Sequence, residues 1–117
     1  MQEAVLKIQE IGAPPEGFTD IENIPPDEIL DLWDAYEDAV ISIIQPVTWE
    51  EAEILITCCP TDRMAGIEWS LLHCIESCIP GSDFEKNPQV MEKYKNLINT
   101  CNSDMMKEML YMRLGSQ

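Results

Sequence analysis

Basic residues are scarce in this chain, with seven Lys and Arg against 22 Asp and Glu over 117 residues and a formal net charge of -15. From Ile8 to Asp62 there is neither Lys nor Arg; the bases Lys7, Arg63, Lys86, Lys93, Lys95, Lys107 and Arg113 lie mostly toward the C-terminus. So depleted a half repels phosphate backbones and anionic lipid heads, which argues against a nucleic-acid partner and against a membrane surface. Long apolar runs are missing too, since nothing approaches the roughly 20 residues of a membrane span. The opening MQEAVLKIQE has neither the basic start nor the apolar stretch of a secretion signal. A cytoplasmic protein is expected. Histidine occurs once, at His73, and the five glycines are scattered, with no phosphate-binding spacing. There is no CxxC knuckle, the usual spacing of structural zinc.

What is present suits one globular domain spanning 1–117. Hydrophobic residues make up 45%, an ordinary globular fraction, so the acidity is not that of a disordered tail. A chain of this length buries enough surface for a core without metal or disulfide help. The five cysteines, Cys58, Cys59, Cys74, Cys78 and Cys101, are odd in number and fit reduced thiols in a cytosolic core. Cys74 and Cys78 extend the apolar stripe of Ile67 and Leu71 and read as small hydrophobes; no metal and no cofactor is expected.

Helical periodicity dominates the chain. Residues 2–11 have modest helical character, and 12–26 form an irregular segment rich in Pro and Gly. Asp27 to Ile44 is a strong amphipathic helix that Pro46 stops, with Trp33 and Tyr36 on its buried side. Thr48-Trp49-Glu50-Glu51 is a capping box opening a helix that ends before Pro60. A further helix is predicted from Thr61 or Asp62 through Met64 to Cys78, ending at Pro80-Gly81. Asn87-Pro88 opens the next, and Asn102 or Ser103 caps a last one containing Met106, Met109 and Leu110. No alternating strand competes. The fold class is all-α, about five helices packed as antiparallel αα-hairpins in a bundle or short solenoid-like stack.

No constellation for catalysis emerges. His73 is the only imidazole, no nucleophile signature surrounds a cysteine or Ser70, and the carboxylates are too many to single out a pair. A binding protein is expected, not an enzyme. Asp31, Asp34, Glu37 and Asp38 lie off the apolar stripe as an acidic ridge; with Glu50, Glu51, Glu53 and Asp62 they form the candidate contact for a basic protein. Trp49, just after its N-cap, is a candidate aromatic anchor. Gly66, Trp69, Leu72, His73 and Glu76 mark a different helix face, on which Trp69 packs and Glu76 reaches His73 or a neighbouring helix, the other reading being an exposed aromatic and polar patch for a partner.

The segment Pro60 to Ser77, with its G-x-x-W-x-L-L-H-x-I-E helix built on Gly66, Trp69, Leu71, Leu72, His73, Ile75 and Glu76, resembles small helical immunity proteins of bacterial polymorphic toxin and contact-dependent growth inhibition systems, of the immunity protein 30 type. The resemblance covers about 18 residues and transfers no catalytic motif. It implies a cytoplasmic protein that binds and neutralises a cognate toxin domain, often a nuclease whose cleft is basic. The other reading of the same acidic surface is a helical adaptor or regulatory protein that binds a basic host protein.

Overall fold

In a computed structural model, which describes residues 1–16, 25–79 and 87–115, the chain forms helices α1 (Glu3–Ile11), α2 (Asp27–Ser42), α3 (Trp49–Leu55), α4 (Ile67–Glu76), α5 (Pro88–Asn99) and α6 (Asp104–Gly115). No strand occurs among the described residues, and none of their helices is long and apolar enough to cross a membrane. Among the described residues there are six helices where about five were expected. The modest N-terminal signal closes into a full helix because Val5 and Ile8 are wholly buried where α1 lies against α2 and α3. The middle of the irregular segment and the expected stop at Pro80-Gly81 lie outside the described residues.

Three helix starts follow from their caps. The Thr48 hydroxyl accepts the Glu51 amide at 3.1 Å and Glu51 Oε1 accepts the Thr48 amide at 3.0 Å, so the capping box is complete. Asn87 Oδ1 accepts the Gln89 amide at 3.0 Å, with Pro88 in the first helical position, where its missing N–H costs nothing. Of the two candidates for the last cap, Ser103 serves α6, its Oγ accepting the Met106 amide at 3.2 Å. Asn102 is engaged elsewhere, as described below.

Other boundaries depart from the periodic pattern for local reasons. α2 ends at Ser42, well before Pro46, because the side chain of Gln2 takes both backbone groups of Ile44: Oε1 accepts its amide and Nε2 donates to its carbonyl, each at 2.8 Å. α3 stops at Leu55 in a tight turn, with Cys58 N donating to Leu55 O at 3.0 Å. α4 starts at Ile67 and not at residues 61–62. Ala65 and Gly66 both have positive φ, 50° and 96°, which no right-handed helix can include. Met64 is therefore buried from a loop rather than from a helix.

α1 lies on α2 and α3, both of those lie on α4, α4 meets α6, and α5 pairs with α6. One continuous cluster of buried side chains runs through all six, from Val5 and Ile8 through Tyr36, Leu55, Leu71 and Leu72 to Ile98, Met106 and Leu110. All five cysteines are buried and unbridged within it.

Glu51 has a second task. Its Oε2 accepts the Gln2 amide at 2.9 Å, tying the start of α1 to the start of α3. Backbone amides of Thr48 and Gln2 hold its carboxyl below the ordinary carboxylate value, against the opposing effect of burial. A depressed folded value means stability that is present above the unfolded pKa and lost as pH falls through the folded one. Urea titrations of the parent and of Glu51→Gln should therefore differ most at neutral pH and converge in acid. A gap that stays constant from neutral pH down to acid would show that the charge of Glu51 is not what the amides stabilise.

Candidate functional site: an acidic helical face

Two hydrogen bonds fix the rotation of α2 about its axis. Trp33 Nε1 donates to Pro15 O at 2.7 Å, and Tyr36 Oη donates to Cys58 O at 2.6 Å inside the core. With Trp33, Tyr36 and Val40 turned inward, the positions between them must face out. Asp27, Asp31, Asp34 and Asp38 are all exposed and recur at helical spacing along one line, while Glu37 is half-buried beside it. Among the described residues none of Asp31, Asp34, Glu37 and Asp38 has an ion-pair partner. Asp27 and Glu28 sit where the helix dipole welcomes negative charge. Asp38 lies toward the other end, where the dipole disfavours it, and no basic residue occupies the last turn. Exposed apolar side chains flank the acids, most openly Ile41 and Ile44, 66% and 74% accessible.

The ridge connects with the acids of α3 through the N-terminus. Gln2, Glu3, Lys7, Asp38 and Ile44 line a groove between α1 and α2. Gln2 also lines a second depression with Met1, Trp49 and Glu50. Trp49 passes from there into a third, shared with Glu53, Lys93 and Asn96 between α3 and α5. Asp38, Glu50, Trp49 and Glu53 thus border one run of shallow depressions. Trp49 is half-buried, and the Lys93 ammonium stands 4.3 Å from its ring centroid.

Two of the expected contact acids are placed differently. Glu51 is withdrawn from the surface, 3% accessible, because both carboxylate oxygens serve backbone amides. Asp62 is exposed but belongs to another cleft, formed by Pro14, Pro15 and Glu16 against Pro60, Thr61 and Arg63, where its Oδ1 accepts the Arg63 amide at 2.8 Å.

The residues of the G-x-x-W-x-L-L-H-x-I-E helix divide between surface and core. Gly66 is the left-handed N-cap of α4, and Leu72 is fully buried. Trp69 and His73 are exposed on one side of the helix, their rings 6.4 Å apart. Glu76 Oε1 accepts from Arg113 Nε of α6 at 2.7 Å and lies 3.6 Å from His73 Nδ1, so it reaches both His73 and a neighbouring helix. In the first turn of this helix lies a buried carboxylate that sequence reasoning missed. Glu68, 2% accessible, accepts the Met64 amide at 2.7 Å and the Gly66 amide at 3.1 Å, closing the loop that precedes α4. Among so many acids nothing in the sequence singles it out.

Among the described residues no group of three His, Cys, Asp or Glu side chains is arranged to hold a metal ion. Burial raises the thiols of Cys58 and Cys74, and that of Cys78 to about 11, as expected of packed, unreactive thiols. Cys101 differs. Its neighbour Cys59, then the Ser103 backbone and the Lys107 charge, lower its thiol below the ordinary value against burial and the nearby Asp104. Cys59 is pushed well up by the same contact and by its burial. No family model, curated protein or solved structure matches this chain.

Proposed function

We propose that this protein is a cytoplasmic immunity protein that binds and neutralises a basic toxin domain, of the kind that cleaves nucleic acid, through the acidic face of α2 and α3. One observation carries the reading: Asp31, Asp34 and Asp38 stand in line on a helix whose rotation is locked, with no ion-pair partner among the described residues. A helix gains nothing internally from such a line of like charges, since neighbours three or four residues apart repel. A basic cleft built for phosphates would relieve that repulsion, and the field would speed the encounter. Tightness would come from apolar anchors beside the acids, with Trp49, Ile41 and Ile44 placed for it. The likeness of residues 60–77 to immunity proteins supports the same reading; in it the helices would pack as successive antiparallel hairpins, leaving one face of α2 open. Catalysis has no role in it.

The test is a pull-down from the native strain at low and at high salt, followed by kinetics with the captured toxin. The expected partner is a basic protein whose toxic activity the bait abolishes. Asp31→Lys, Asp34→Lys and Asp38→Lys together should then slow association about tenfold or more at low salt, with the thermal unfolding curve unchanged in shape. A triple variant that associates at the parent rate would remove the ridge from the interface. Capture of a basic housekeeping protein instead would make the chain an adaptor.

A further inference from the structure

Cys59 and Cys101 meet at the joint where the C-terminal helix pair attaches to the rest of the fold. Asn102 builds that joint. Its Oδ1 accepts the Cys59 amide and its Nδ2 donates to the Cys59 carbonyl, both at 2.8 Å, while its own amide donates to Ile56 O at 3.3 Å. The turn after α3 and the turn between α5 and α6 are thereby locked side by side, which sets Cys59 and Cys101 next to each other, each the first influence on the other's ionisation. The Cys59 sulfur is fixed from below by Leu55 O at 3.4 Å and Ile56 O at 3.5 Å, and that of Cys101 by Ser103 O at 3.4 Å. Cys59 is wholly enclosed, whereas Cys101 keeps an 8% accessible edge between the exposed residues Thr100 and Asn102.

From this arrangement we infer that Cys101 is a hydroperoxide-oxidised site with Cys59 as its resolving thiol, the pair closing to a reversible disulfide that staples α5 and α6 to the rest of the fold. The Cys101 thiolate attacks one oxygen of the hydroperoxide, the O–O bond breaks, and the departing oxygen leaves as water or alcohol after taking a proton. The Cys59 sulfur then attacks the Cys101 sulfenic acid; the S–O bond breaks, a second water leaves with the Cys59 proton, and the S–S bond forms. Two thiols lose two electrons and two protons, and the hydroperoxide is reduced. A small oxidant fits the narrow access to Cys101, and a thiol held below its ordinary value is suited to the first step. Cys58, Cys74 and Cys78 lack such a partnered sulfur, their contacts being Thr57 Oγ1, Gln45 Nε2 and apolar packing.

The experiment treats the full reduced chain with hydrogen peroxide near neutral pH, quenches, unfolds and alkylates it, then counts thiols and maps peptides by mass. The thiol count should fall from five by the two that one disulfide consumes, the mass before alkylation by that of two hydrogens, and one linked peptide pair should contain Cys59 and Cys101. Dithiothreitol should restore the starting state. Cys74→Ser should behave like the parent. Cys59→Ser should form no disulfide and should instead accumulate a Cys101 sulfenic acid that dimedone labels, a readout that survives partial loss of stability. An unchanged thiol count in the parent, or a bond mapped to Cys58, Cys74 or Cys78, would overturn the assignment.

Discussion

Leu72→Ala should lower the unfolding free energy by about 2–5 kcal/mol, the usual cost of deleting a fully buried leucine and leaving a cavity. Leu72 has no accessible surface and belongs to the cluster that joins α4 to its neighbours. Trp69→Ala, three residues earlier on the same helix, should cost less, about 1 kcal/mol, because Trp69 keeps 40% of its surface accessible on that face. Urea unfolding followed by circular dichroism measures both. The contrast separates two positions within α4: Leu72 seats the helix on the core, whereas Trp69 lies on its exposed side. A Leu72→Ala protein as stable as the parent would mean that α4 is not seated on the core as described.

Glu68→Ala should destabilise by about 2–3 kcal/mol, the range expected when charge-assisted hydrogen bonds are removed and buried amides lose their acceptor. Both the Met64 and Gly66 amides would be orphaned in a loop that already holds two residues at positive φ. Glu68→Gln should lose roughly half as much, since its single carbonyl oxygen can still accept from one of the two amides. If Glu68→Ala unfolds at the parent's urea midpoint, the loop is held by something other than this carboxylate. Neither Glu68 variant touches the ridge on α2, so association with the proposed basic partner should survive in whatever fraction stays folded.

Local chemistry made much of the fold legible. The Thr48 and Asn87 caps, Pro88 in the first turn and the inward stripe of α2 were all readable, because each depends on residues within a turn or two of one another. Long-range competition was not readable. Gln2 draws Ile44 out of α2, Glu51 leaves the surface to serve Gln2, and Asn102 abandons a cap to hold Cys59. Each is a polar side chain whose partner lies more than 40 residues away. The start of α4 was misplaced for another reason, since the apolar spacing of Met64 and Ile67 continues through a loop that Ala65 and Gly66 interrupt. The acidic ridge itself followed from periodicity, whereas its link to Trp49 through Gln2 required the packed structure.

The Asn102 joint also bears on how the chain comes off the ribosome. Synthesis places Cys59 in the growing chain 43 residues ahead of the side chain that satisfies its amide and carbonyl. Until Asn102 emerges, α1 to α4 can pack on one another, but the turn after α3 must keep both groups on water and leave its thiols uncovered. The nascent half-protein therefore has an open flank at the place where Asn102 clasps the finished one.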